Sequence, residues 1–186
     1  MSGDGGGFRQ LEEDVVHEGP VVTLVSGQFS APDGSRFERQ IVRHPGAVAV
    51  VPVTDDRAAL LVRQFRAAIG RELLEIPAGK RDVPGEDPAV TAARELAEEV
   101  GVRAGRLDEL ARFYNSPGFS DELSICYMAR GLEDCGTDLQ GVEEVHMTVV
   151  AVPLDDVPAL IAAGDIMDAK TIIGLALAAD RLAAGR

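Results

Sequence analysis

Apolar and polar positions alternate through VVTLVSGQFS (Val21–Ser30) and FERQIVRHPG (Phe37–Gly46). The APDGS between them carries Asp33-Gly34, a strong turn signal, so the pair predicts two early strands. AVAVVPVT (Ala47–Thr54) and AALLVRQFR (Ala58–Arg66) are β-like runs separated by DDR, and they read as a central hairpin. RELLEIPAG (Arg71–Gly79) is extended and ends at Pro77-Ala78-Gly79, before the loop KRDVPG. The clearest helix follows. Asp87 is a good N-cap, Pro88 suits the first helical position, and Gly101 suits a left-handed end. Val90, Ala93, Leu96, Ala97 and Val100 make its predicted apolar face. LDELARFYNS, LSICYMARG and VHMTVVAVPL read as strands, and DDVPALIAAG and DAKTIIGLALAADRLAAG as helices. There is no repeat and no internal linker, and the pattern predicts an α+β fold of strands flanked by helices.

Length and composition bound this picture without changing it. A chain of 186 residues suits one compact domain, and 46% hydrophobic residues can build a sizeable core. No apolar run approaches the roughly 20 residues that span a bilayer. MSGDGGGFRQ lacks a basic and apolar leader, so no secretory signal is expected, and its glycines predict a mobile tail over residues 1–10. Residues 11–45 then form an N-terminal strand element and 46–186 the main domain. Cys126 and Cys135 sit in no CxxC and make no zinc pattern with the histidines. They read as reduced thiols of a cytoplasmic protein. A net charge of −13 argues against a general nucleic-acid or membrane-surface binder. An anionic substrate would need a bound cation or a few placed arginines.

RELAEEVG (Arg94–Gly101) is where that cation enters the argument. Residues three and four apart share a helix face, so Glu95, Glu98 and Glu99 are expected to converge with Arg94 beside them. Like charges at this spacing repel. Either an Arg94–Glu98 pair on a solvated face or a divalent cation offsets the cost. Magnesium is a hard cation that takes oxygen ligands and shares its site with substrate phosphates, and a rigid helix turn fixes the separation of its carboxylates.

The wider segment GKRDVPGEDPAVTAARELAEEVGV (Gly79–Val102) closely resembles the signature of the Nudix hydrolase superfamily: a glycine, five residues, Glu, seven residues, then R-E-U-x-E-E-x-G-U with U bulky and apolar. Glu86, Arg94, Glu95, Leu96, Glu98, Glu99, Gly101 and Val102 fall in place. One departure is visible, since six residues separate Gly79 from Glu86. The resemblance implies a Nudix-type α/β/α sandwich with a mixed central sheet. It implies Mg2+, or Mn2+ in its place, held by Glu95, Glu98, Glu99 and the carbonyl of Ala78. Gly79 is expected to allow the backbone turn that presents Ala78, with Glu86 and Gly101 as structural members of the motif. Arg94 is expected to hold Glu98 in place. The implied reaction is hydrolysis of a nucleoside diphosphate linked to a further moiety.

Three features resemble the ADP-ribose pyrophosphatase branch, over about Val21 to Ala184. NSPGFSDE places Pro117 sixteen residues after Gly101, flanked by Ser116 and Gly118. VRQFR resembles the arginine-bearing strand, with Arg66 as a phosphate ligand and Arg63 ranked below it. LLEIPAG and GDIMDAKTIIGLALA resemble the same branch. This branch implies ADP-ribose as substrate, with AMP and ribose 5-phosphate as products. It also implies a homodimer that exchanges its N-terminal strands and builds the adenine pocket partly from the partner chain. QGVEEVHM supplies Glu143 and Glu144 as candidate bases outside the box. His146 ranks below them, and His17 and His44 read as structural or surface residues. The competing readings are a GDP-mannose hydrolase, a silent ADP-ribose-sensing module and an RNA-cap hydrolase. The box acids are all present, a chain of this length is not expected to carry an attached DNA-binding domain, and the low pI argues against the cap.

Overall fold

The structure is a computed structural model, and it describes residues 6–137 and 144–185. It divides into two units. The first runs to Gly46 and also takes in Tyr114–Leu123; the second comprises Ala47–Phe113 and Ser124 onward.

The first unit is built on an antiparallel sheet of β1 (Arg9–Glu18), β2 (Thr23–Ser30) and β3 (Arg36–Arg43), in that order. The predicted turn joins β2 and β3. Asp33 Oδ1 accepts from the Ser35 amide at 2.9 Å and from Ser35 Oγ at 2.6 Å. Strand β1 lies mostly within the strand element expected over 11–45, although no individual strand was placed there, and Arg9 and Gln10 belong to it rather than to the tail predicted over 1–10. The reason is physical. Its register against β2 shifts between Gln10 and Glu12 and again between Val15 and His17. Each shift moves the following side chains to the other face, which erases a period-2 pattern. The Tyr114–Leu123 segment is tied to β3, because the Val42 amide donates to the Phe119 carbonyl at 2.7 Å. Arg43 pairs with Asp121 at 3.0 Å and with Glu13 of β1.

The second unit holds two sheets. One is antiparallel, in the order β10 (Thr148–Pro153), β5 (Ala58–Arg66), β6 (Arg71–Glu75). The other runs β7 (Ala78–Lys80), β4 (Ala47–Pro52), β9 (Leu123–Asp134), β8 (Val102–Tyr114) and is mixed, with β4 antiparallel to β7 and parallel to β9. The expected β4–β5 hairpin is therefore wrong. A single bridge, from Val53 just past the end of β4 to Ala59 of β5, links them, and the two strands belong to different sheets. Strand β4 and the first five residues of β5 are almost continuously apolar and largely buried, so their hydrophobicity marked strands without marking which neighbour each pairs with.

Alternate residues of β4 feed two cores. Ala49 and Val51 enter the cluster that includes Leu61, Ile76, Met128 and Leu175. Val48 and Val50 enter the cluster of Ala92, Leu96, Val100 and Ile125. Helix α3 (Ala169–Ala183) supplies Leu175 and Ala178 to the first, and helix α1 (Pro88–Glu95) lies on the second. This is the expected α/β/α layering around a mixed sheet. Each valine buried this fully contributes about 1.5–3 kcal/mol of hydrophobic stabilisation, so the layers are held mainly by β4 and its neighbours. A short helix α2 (Val157–Ala163) ends at Gly164.

Helix α1 begins as predicted, with Asp87 accepting from the Ala89 amide at 2.9 Å. It continues into a π-helical turn, Leu96–Val100, that ends at Gly101 with φ 76°. The apolar face differs from the expected one. Thr91, Ala92, Leu96 and Val100 are buried, whereas Val90 and Ala93 are exposed. Leu96 and Val100 anchor the face, and the small Ala92 sits one turn before Leu96, where the bulkier Val90 does not.

Candidate active site

The acidic turn of the helix faces the short strand β7. Glu99 is only 5% exposed, and its Oε2 accepts from the Ala78 amide at 3.1 Å. Glu95 lies against the next residue. A Cβ built on Gly79 would stand 1.9 Å from the Glu95 carboxyl carbon, so no side chain can occupy position 79 while Glu95 keeps this position. Gly79 has no left-handed φ. The expectation that it serves a backbone turn is corrected: the glycine is needed for clearance, not for conformational freedom.

Arg94 is the hub of the carboxylates. Its Nη1 stands 2.9 Å from Glu95 Oε1 and 3.1 Å from Glu98 Oε2, and its Nη2 is 3.8 Å from Glu86 Oε2. Burial pulls the Arg94 guanidinium down, but Glu95, Glu98 and Glu86 outweigh it and hold its pKa above the usual value. The predicted Arg94–Glu98 pair is present and extends to Glu95 and Glu86. Glu86 also accepts from Thr91 Oγ1 at 2.7 Å. The extra residue before Glu86 is absorbed in the loop, where the Glu86 amide donates to the Val83 carbonyl at 3.2 Å and Gly85 takes φ 78°.

The expected convergence of Glu95, Glu98 and Glu99 takes a different form. Among the described residues, no three acidic, histidine or cysteine side chains form a ready coordination cluster. Arg94 stands between Glu95 and Glu98, and Glu99 turns to the Ala78 backbone. The donor set still fits a hard divalent cation in kind. It offers carboxylate oxygens on one helix turn against the backbone at Ala78, and such an ion keeps waters and substrate oxygens in its shell rather than requiring a complete protein cage.

A second charged group lies on β5 and β6. Arg66 forms a fork on Glu75, with Nε to Oε1 at 2.7 Å and Nη2 to Oε2 at 2.7 Å. Lys170 of α3 reaches the same Oε2 and pairs with Asp168 at 3.0 Å. The Glu75 hydrogen bonds are the largest influence on Arg66, raising its pKa against burial, and Asp168 and Glu99 add to them. Burial acts first on Glu75 and raises it, yet Arg66 and Lys170 prevail and hold the carboxyl below its ordinary value. Arg63 is exposed and, three positions from Arg66, projects from the opposite face of β5. Gln64 shares the Arg66 face, and its Nε2 is buried without a hydrogen-bond partner among the described residues.

Ser116, Pro117 and Gly118 belong to the first unit. They form a tight turn in which the Phe119 and Ser120 amides donate to the Ser116 carbonyl at 3.1 and 2.9 Å. Pro117 and Gly118 line an open cavity of about 390 Å³ with Phe8, Phe29, Phe37 and Arg39. Phe29 stacks on Phe37 at 5.4 Å, and Arg39 lies 4.8 Å above the Phe37 ring. Glu143 lies outside the described residues. Glu144 opens a short 3₁₀ turn, Glu144–His146, in which His146 is exposed.

Sequence reasoning did not single out Glu75, Lys170 or Gln64, although each lay in a quoted stretch. A signal was available for Glu75: a carboxylate inside the apolar run LLEIP is rarely buried unless paired.

A NUDIX domain model matches residues 43–172, well over half the chain. The chain belongs to the NUDIX family. Members generally need divalent metal ions, which agrees with the carboxylate donors here. This NUDIX protein is 38% identical over 163 residues to an ADP-ribose pyrophosphatase of Bacillus subtilis strain 168, covering 88% of each chain. It is 38% identical over 168 residues to one of Mycobacterium tuberculosis strain H37Rv, covering 90% of this chain and 81% of that one. Among solved structures, an ADP compounds hydrolase superposes with a TM-score of 0.82 at 25% identity, over 96% of this chain and 95% of that one.

Proposed function

We propose that this NUDIX protein hydrolyses the diphosphate of ADP-ribose to AMP and ribose 5-phosphate, with Mg2+ as the metal and Mn2+ able to replace it. The observation that carries the chemistry is the arrangement of Glu86, Glu95, Glu98 and Glu99 around Arg94 and the Ala78–Gly79 backbone. The choice of substrate is supported by the relatives at 38% identity. Glu95, Glu98, Glu99 and the Ala78 carbonyl hold the metal, which when bound neutralises the diphosphate and lowers the pKa of water. Arg94 keeps Glu95 and Glu98 at fixed spacing. Arg66 contacts the diphosphate as a guanidinium suited to paired oxygens. Pro117 and its neighbours Ser116 and Gly118 serve the remainder of the substrate, and Arg63 takes no part.

The attacking water must lose a proton. The box acids are committed to Arg94 and to the metal, so the base is assigned to Glu143 or Glu144. Only one of the two reaches the site, and Glu143 is favoured because it lies further from β10. We also assign a homodimer. All of β1 is exposed, including Leu11, Val15 and Val16, and these apolar side chains fit burial against a second copy. Cys126 and Cys135 are free thiols, which fits the cytoplasm. No helix among the described residues is long and apolar enough to cross a membrane.

The test is product analysis on ADP-ribose and GDP-mannose with Mg2+ and with Mn2+. AMP and ribose 5-phosphate as the main products support the reading. Equal or better turnover of GDP-mannose reassigns the substrate, and no turnover of either leaves the sensing module as the better account.

A further inference from the structure

Glu75 is 1% exposed and flanked by the core residues Leu74 and Ile76, yet it is charged. A buried ion pair is weak evidence for stability, since well-packed apolar residues commonly do as well or better. Something other than stability accounts for a carboxylate here. The geometry around it is specific. Arg66 approaches side-on, spending Nε and Nη2 on the two oxygens of Glu75. That fork fixes the guanidinium plane and keeps Nη1 outside the pair.

The carboxylate is itself held from α3. Lys170 reaches Glu75 Oε2 and is anchored by Asp168, the N-cap of that helix. Asp168 Oδ2 accepts from the Thr171 amide at 2.9 Å and from Thr171 Oγ1 at 2.6 Å. The Ile76 amide, next to Glu75, donates to Thr171 Oγ1 at 2.9 Å. The first turn of α3 thus grips the end of β6 at Glu75 and the residue just past it, Ile76. The charge of Glu99 acts on Arg66, so the guanidinium stands within electrostatic reach of the carboxylate helix.

We propose that Glu75 is a positioning residue, which, braced by Lys170 from α3, orients Arg66 so that its Nη1 edge meets the substrate diphosphate. This rests on the proposed hydrolysis and adds to it two residues that act only through Arg66. Lys170 supplies a second cation that keeps Glu75 charged without drawing on the outer edge of Arg66.

The test is a double-mutant cycle on ADP-ribose turnover with saturating Mg2+, using wild type, Glu75→Gln, Arg66→Ala and the double variant, with thermal denaturation of each. Glu75→Gln is expected to lower kcat/KM on the order of 10- to 100-fold in the wild-type background, the weight of a charge-assisted hydrogen bond. In the Arg66→Ala background the same change is expected to cost less than about twofold, because a residue acting through another shows strong non-additivity. Glu75→Asp, which keeps the charge, should recover part of the loss. An equal loss in both backgrounds, or no loss in the wild type, overturns the proposal. If Glu75→Gln does not fold, Lys170→Met replaces it: a loss of about threefold or more that vanishes with Arg66→Ala supports the role, and an additive or absent effect removes it. Wild-type protein that leaves ADP-ribose intact refutes the proposed activity and this inference with it. An active wild type with a silent Glu75→Gln refutes the inference alone.

Discussion

Strand β1, with ten residues, and strand β4, with six, meet opposite fates. Every residue of β1 is exposed, whereas five of the six residues of β4 are buried. Strand β4 has a core on each face and strands on both sides, so its apolar residues are held wherever they point. Strand β1 lies at the edge of a three-stranded sheet, with Val15 65% exposed. Its backbone pairs with β2 from end to end except at the two register shifts, yet its own side chains are all exposed. The difference separates two ways of specifying a strand. One is written in side-chain burial and is complete within its own unit. The other is written in backbone pairing and leaves its apolar side chains exposed. The carboxylate site belongs to the first kind, since α1 and β7 that carry it are packed on β4.

The strongest test of this contrast is a change in the carboxylate site that leaves packing alone. Glu99→Gln keeps the shape and can still accept from the Ala78 amide. Folding should survive, while kcat falls on the order of 10³-fold as metal-borne charge stabilisation is lost. Glu95→Gln should behave alike. Glu98→Gln should be milder, because the Glu98 carboxylate is more exposed than that of Glu95. Near-normal turnover in Glu99→Gln would detach the metal from this helix. The next test adds one methyl group. Gly79→Ala places a carbon where the Glu95 carboxylate stands. Overpacking of this kind costs about 1–3 kcal/mol, and moving Glu95 by about 1 Å should cost up to about 10²-fold in kcat. A Gly79→Ala protein with normal kcat would show that Glu95 moves away without consequence.

A smaller effect follows from Glu75. Its pKa lies below the ordinary 4.5 in the folded protein, so the stability it contributes is present above that value and is lost as pH falls through its native pKa. Urea midpoints of wild type and Glu75→Gln should differ most above pH 4.5 and converge below it. A gap that stays constant through this range would mean that Glu75 is not ionised through Arg66 and Lys170.

The fold was legible where side chains carry the information. The α1 cap at Asp87, the end at Gly101, the β2–β3 turn and the two C-terminal helices all follow from local chemistry. The pairing of β4 was not legible, because a strand buried on both faces shows no period that selects a neighbour. Strand β1 was hidden by its two register shifts. Within the site, the acids and Arg94 were legible from helix spacing. Glu75 and Lys170 were not, since 95 residues separate them and only the folded chain brings the first turn of α3 to β6. The clearance role of Gly79 likewise needs the position of Glu95, which no spacing rule supplies.

The smallest expected effect on the core separates the two units most cleanly. Val15 is exposed in β1 and, on the proposed homodimer, packs against a second copy. Val15→Glu places a charge there, and a surface substitution of this kind changes stability by only about 0.5 kcal/mol in a chain that does not need the contact. The melting of the second unit should therefore stay close to wild type, while sedimentation shifts from dimer toward monomer at low micromolar protein. Where the proposed homodimer also builds the adenine pocket, KM for ADP-ribose should rise and kcat of the remaining complex should change little. A wild-type protein that sediments as a monomer at every concentration would assign the exposed apolar residues of β1 to this chain alone. The contrast with β4 would then describe an unusually bare edge strand rather than half of an interface.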